Sequence, residues 1–165
     1  GSKNIKWVEK IEFSDTEVDS PWQTGIAYKK FNNNIKSVDD ISLILKKCTP
    51  TINKLPVQSY ICNKNIVGNK INLSGYAISG GGKKIVAVEI SRDNGKTWGT
   101  ANLGDGSDQT WENSYAWVFW NLEMKYNQGD NYVCRAIDES NIIQNTSCNL
   151  NWNIRGILNN SPHKM

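Results

Sequence analysis

Residues 79–98, SGGGKKIVAVEISRDNGKTW, constrain the fold more than any other stretch of the chain. Ile85, Ala87 and Glu89 alternate with Val86, Val88 and Ile90, the period of two of a strand with one face on a core. The alternation predicts that Val86, Val88 and Ile90 point inward. The strand runs into Asn94-Gly95, a dipeptide that tolerates the positive φ angles of a type I′ turn, and Asp93 is placed to fold its carboxylate back onto the turn amides. Thr97 and Trp98 open the return strand, so the run reads as a hairpin covered by an indole.

The chain from residue 56 onward continues in the same manner. Strands are predicted at 59–62, 70–79, 84–92, 97–103, 115–122, 131–138 and near 149–155. Turn signals such as Gly68-Asn69, Gly80-Gly81-Gly82, Gly104-Asp105-Gly106 and Gln128-Gly129-Asp130 separate them. Short strands at this spacing predict an all-β, immunoglobulin-like β-sandwich. The S-x-D-x-G-x-T-W pattern of the hairpin resembles the Asp box of sialidase propellers, but it occurs once and a propeller needs repeated blades. In the strand at 115–122, Tyr115, Trp117 and Phe119 share one face and Ala116, Val118 and Trp120 the other. A strand apolar on both faces is either covered twice or carries an interface, which makes Tyr115, Trp117 and Trp120 the candidate subunit contacts.

The first part of the chain reads differently. Residues 5–13, IKWVEKIEF, alternate well enough to predict a strand, which Ser20-Pro21 breaks. Trp22, Tyr28 and Phe31 follow without clear period, as aromatic anchors of a loop. Residues 38–47 fit a short helix or a strand, and the alternation of Ile41, Leu43 and Leu45 with Ser42 and Ile44 leans to strand. The proline-led Leu55-Pro56-Val57 marks a boundary between residues 1–55, with their linker, and a domain at 56–165.

Composition excludes several function classes. The net charge of +3 is small and its lysines are scattered, which argues against a nucleic-acid partner. No apolar run approaches the ~20 residues of a membrane span, and the composition is that of a soluble globular chain. Cys48, Cys62, Cys134 and Cys148 lack C-x-x-C spacing and His163 is the sole histidine, so no zinc pattern is present. Two disulfides and free buried thiols both fit the even count.

Several segments, in order and spacing, resemble one family. LPVQS (55–59), GYAISGGG (75–82), SRDNGKTW (91–98), YAWVFW (115–120) and NWNIRGILNN (151–160) resemble the C-terminal dimerisation domain of sulfite oxidases and eukaryotic nitrate reductases. Upstream, Lys6-Trp7-Val8, Ser20-Pro21-Trp22-Gln23 and Tyr28-Lys29-Lys30-Phe31 resemble the closing segments of the molybdopterin-binding domain of the same proteins. The resemblance implies a homodimer, and in the intact enzyme a molybdenum centre on a pyranopterin that oxidises sulfite to sulfate by two electrons. It implies no retained cofactor and no catalysis by this chain alone, because the family's metal-ligating cysteine belongs upstream of these residues. A native end near Met165 favours sulfite oxidase over nitrate reductase, whose chain continues into further domains. The compartment is not legible in the residues, and the mitochondrial intermembrane space is one that the resemblance allows.

The same resemblance carries three residues over. Arg155 matches the arginine that the dimerisation domain lends to the anion pocket, where a guanidinium offers a planar fork of donors. Tyr28 matches the active-site tyrosine, although Lys30 stands where the family commonly has glycine. Lys6 matches a position near the pterin. Read without the family, Arg155 is a strand-end arginine, Tyr28 a loop anchor and Lys6 a solvated strand lysine. A free-standing immunoglobulin-like binding module is the reading from another class. It accounts for the sandwich but leaves residues 6–31 without a role.

Overall fold

The structure, a computed structural model, describes residues 5–37, 39, 41–42 and 48–165. Most of the strand expected at 38–47 lies outside the described residues. Among the described residues seven strands form two antiparallel sheets: β1 (Gln58–Val67), β2 (Lys70–Ile78), β3 (Ile85–Ser91), β4 (Gly99–Thr100), β5 (Asn102–Leu103), β6 (Val118–Lys125) and β7 (Val133–Asp138). The larger sheet has the order β1-β2-β6-β5 and the smaller β4-β3-β7. This is the sandwich expected, with a core between the sheets that includes Ile71, Leu73, Val88, Ile90, Val118, Trp120, Tyr132 and Cys134.

The opening hairpin forms, with Asn94 at φ 64° and Gly95 at φ 92°. Asp93 Oδ1 accepts the amides of Lys96 (3.0 Å) and Thr97 (2.8 Å), and Oδ2 accepts the Thr97 hydroxyl at 2.5 Å. The Thr97 hydroxyl and amide, with the Ser91 hydroxyl, hold the Asp93 carboxyl well below the usual carboxylate range. Trp98 covers the face of the hairpin, with the Arg135 guanidinium 3.9 Å from its ring centroid.

Within β3 the expected phase is half right. Val88 and Ile90 are buried, but Val86 is 38% exposed and Ile85 takes the inward place. The pairing of β3 with β7 shifts register between Ile85 and Ala87, and a bulge of this kind exchanges the faces of the residues on one side of it. The predicted return strand at 97–103 is divided between the sheets. β4 pairs with β3 and β5 with β6, and the change occurs at Ala101, whose amide donates to Val88 O at 2.8 Å.

The strand predicted near 149–155 does not exist. Its place beside β7 is taken by two separate pieces of chain. Ile143 bridges Ile137 and Gln144 N donates to Ala136 O at 2.8 Å at one end, while Lys164 bridges Val133 and Met165 exchanges two 2.9 Å bonds with Tyr132 at the other. Between them, residues 145–162 leave the sheet, make one helical turn (Cys148–Asn151) and return. The closing tail, for which the sequence suggests no role, also reaches the opposite sheet. His163 Nδ1 accepts the Ile61 amide at 3.2 Å, next to the register shift between Ile61 and Asn63 in β1.

Residues 5–13 are not a strand. Trp7 has a left-handed backbone at φ 59°, which interrupts any extended run, the stretch makes no strand pairing among the described residues, and Ile5, Trp7, Ile11 and Phe13 stand exposed. A second, small core forms farther on, where Phe31, Ile35 and Ile41 are buried against Ile26 and Ile154. Cys48, Cys62 and Cys134 are free thiols, and burial pushes Cys134 up to about 11.

Candidate functional site

The chain excursion at 145–162 carries Arg155, and buried amides close its base. Gln144 (1% exposed) accepts Ser59 Oγ at 2.8 Å and the Ala136 amide at 3.3 Å, and its Nε2 donates to Asn160 O at 3.1 Å. Asn160 Nδ2 in turn donates to Val57 O at 3.0 Å. An unpaired buried amide is expensive, so these bonds fix where the loop leaves and rejoins the sandwich.

At the far side of the loop, Asn153 to Gly156 make a tight turn. Gly156 N donates to Asn153 O at 2.9 Å, and Gly156 sits at φ 64°. The Asn153 side chain accepts the Arg155 amide at 3.3 Å and donates to Ile157 O at 2.9 Å. Ile154 packs into the small core with Phe31 and Ile26. Lys36 Nζ lies 4.2 Å above the Trp152 ring, a further contact between the same two segments.

Arg155 is half-buried, and its Nη1 is buried with no hydrogen-bond partner among the described residues. A charged donor enclosed in this way favours an acceptor, above all an anion. Tyr28 lies in the segment that Ile154 touches. Its ring is 5.8 Å from that of Trp22, tilted by 41°, and its carbonyl accepts the Ile52 amide at 2.8 Å. The structure thus joins the loops bearing Arg155 and Tyr28 through one shared core.

Lys6 is not drawn into this arrangement. It is exposed on the unpaired arm, and among the described residues no three His, Cys, Asp or Glu side chains converge as a metal site would require. These residues by themselves do not fit a molybdenum–pterin group. The group among them that favours an anion is the buried Nη1 of Arg155.

The three aromatics proposed for subunit contact separate by face. Trp120 is 1% exposed in the sandwich core, a correction that follows from the alternation itself: Val118 and Trp120 face in, so Trp117 and Phe119 face out. Tyr115 and Trp117 remain at the surface, just before β6. On the outer face of the larger sheet Tyr60, Tyr76 and Phe119 lie in register across three strands, and Trp117 meets Tyr76 edge-on at 4.8 Å. The outer face of the smaller sheet is instead occupied by the Glu89–Arg135 pair at 2.6 Å beneath Trp98.

Asn153 and Gln144 escaped the reading of the sequence. Asn153 had a signal, since Asn-x-x-Gly is a turn signature, whereas nothing local marks Gln144 as a buried clamp.

Comparison with known proteins extends over the whole chain. Mitochondrial sulfite oxidase of Macaca fascicularis is 32% identical over 172 residues, covering 100% of this chain and 30% of that protein. A nitrate reductase [NADPH] of Aspergillus niger is 25% identical over 194 residues, covering 97% of this chain and 22% of that protein. The chain therefore spans about a third or less of the length of these relatives. The sulfane dehydrogenase SoxCD of Paracoccus pantotrophus shares the fold, with a TM-score of 0.64 at 22% identity over 91% of this chain and 36% of that one. The family model described as the Mo-co oxidoreductase dimerisation domain matches residues 49–165, and the chain belongs to that family.

Proposed function

We propose that this chain is the C-terminal part of a molybdenum-dependent enzyme that oxidises sulfite to sulfate, with residues 1–55 closing the cofactor domain and 56–165 forming the dimerisation domain. Sulfite is preferred to nitrate because the sulfite oxidase relative matches at the higher identity. The two-electron chemistry belongs to a molybdenum–pterin group held by the rest of the intact enzyme. This chain's own residues bind and orient. Arg155 offers its guanidinium to the oxyanion, Tyr28 donates its hydroxyl beside it, and Lys6 on the arm reaches the pterin once the upstream domain surrounds it.

The observation that carries this reading is the buried, unpaired Nη1 of Arg155 on a turn packed against the segment that bears Tyr28. In the full-length enzyme, Arg155→Gln is expected to raise the KM for sulfite roughly tenfold or more, the loss of one charge-assisted contact. A KM within about twofold of the parent would overturn the role.

Two copies pair about a twofold axis through the outer face of the larger sheet, around Tyr115 and Trp117. Sedimentation of Trp117→Asp tests this, a monomer being expected and an undisturbed dimer refuting that face. The mitochondrial relatives support an intermembrane-space location, which organelle fractionation of the native protein checks.

A further inference from the structure

We propose that Asn153 is a positioning residue for Arg155, fixing with Gly156 the turn that aims the guanidinium, without touching the anion itself. The inference rests on the reading of Arg155 as the anion-binding group.

Asn153 is 3% exposed, so its amide must be satisfied from within. Both ends are engaged across the turn: Oδ1 takes the Arg155 amide at 3.3 Å and Nδ2 gives to Ile157 O at 2.9 Å. Its own carbonyl closes the turn by accepting Gly156 N at 2.9 Å. One residue thus holds the backbone before, at and after Arg155. Ile154 is absorbed by the small core, which leaves Arg155 as the residue of the turn with a buried donor still to be matched. An arginine side chain is long and rotamer-rich, so it reads an oxyanion well only if its backbone is held. A guanidinium displaced by about 1 Å no longer meets the anion's oxygens at hydrogen-bond distance and angle, which weakens the charge-assisted contact.

Gly156 allows a test that separates aim from packing. A Cβ there would meet nothing within 4 Å, so the only constraint is the positive φ of 64°. Alanine adopts that conformation at a cost, whereas asparagine tolerates it far better. Gly156→Ala therefore strains the turn without filling any space, and Gly156→Asn is the conservative rescue.

The experiment compares Asn153→Ala, Gly156→Ala, Gly156→Asn and Arg155→Gln in the full-length, cofactor-loaded enzyme. It reads kcat and KM for sulfite, the inhibition constant of sulfate, and sulfate affinity by calorimetry. Asn153→Ala and Gly156→Ala are expected to weaken both anions by about tenfold while kcat changes less, and Gly156→Asn to stay near the parent. A purely structural role would lower yield or thermal stability and leave the anion constants of the surviving enzyme unchanged, and that result overturns the proposal. If Asn153→Ala does not accumulate as folded enzyme, the Gly156 pair decides alone, and equal anion constants for its two variants count against positioning. Unchanged constants in Arg155→Gln would defeat the anion reading and this inference together. A weakened Arg155→Gln beside an unaffected Asn153→Ala defeats only this one.

Discussion

The arm at residues 5–13 and strand β3 are written in nearly the same local code, IKWVEKIEF against IVAVEIS, and meet opposite fates. β3 is paired on both sides, by β4 and β7, and buries Ile85, Val88 and Ile90 to 1% exposure or less. The arm pairs with nothing among the described residues, and Trp7 and Phe13 are 95% and 100% exposed. Alternation therefore specifies a surface that can be half-buried. Whether it becomes a strand depends on a neighbour with free backbone groups, which β3 finds and the arm does not find among the described residues.

The largest test of that contrast is Trp120→Ala, which removes the biggest side chain of the sandwich core. It is expected to cost about 3–5 kcal/mol in urea unfolding, and a loss under about 1 kcal/mol would mean that the core is not where stability resides. His163→Ala should cost about 1–2 kcal/mol by leaving the Ile61 amide without its acceptor. Faster hydrogen exchange at Ile61 and Met165 should accompany it, and exchange unchanged at both amides would remove the tail from the list of what holds the sheets together.

A smaller effect concerns the hairpin. Because the folded Asp93 carboxyl is depressed, its contribution is present above the ordinary carboxylate range of about 4 and is lost only as pH falls through the lower folded value. The Thr97 amide resonance should therefore hold its position through pH 4, where an ordinary exposed carboxylate of about that pKa would already be titrating. A midpoint near 4 would show that the turn bonds do not form in solution. Smallest of all, Trp7→Ala should change the stability of this chain by no more than about 0.5 kcal/mol. A larger loss would mean that the arm packs on the sandwich after all.

Much of the sandwich was legible because its signals are local. Asn94-Gly95 announced its turn, and the period of two in Val118 to Trp120 divided that strand into two faces, but both read as apolar, so the pattern places Trp120 at a surface when it lies in the core. What escaped was decided between strands. The bulge that turns Val86 out depends on the register against β7, and the division at Ala101 depends on two sheets competing for one segment. The last strand was misplaced because its two halves, around Gln144 and His163, are separated by a loop whose Asn-rich stretch shows no interruption to a local reading. Arg155 and Tyr28 emerged through family resemblance alone, since neither stands out by spacing. The segments that bear them meet by packing, where Ile154 joins the small core of Phe31, Ile35 and Ile41.

The passage of residues 99–103 from one sheet to the other has a mechanical consequence. A sandwich whose layers share no strand could open like a book, each leaf keeping its own bonds. Here β4 and β5 are adjacent parts of one strip of backbone stitched to both leaves, so a crack cannot run between the layers without tearing pairs from one of them. Under load or heat the two leaves should fail as a unit, and whatever is joined to this domain would keep its alignment to both leaves until the whole domain gives way.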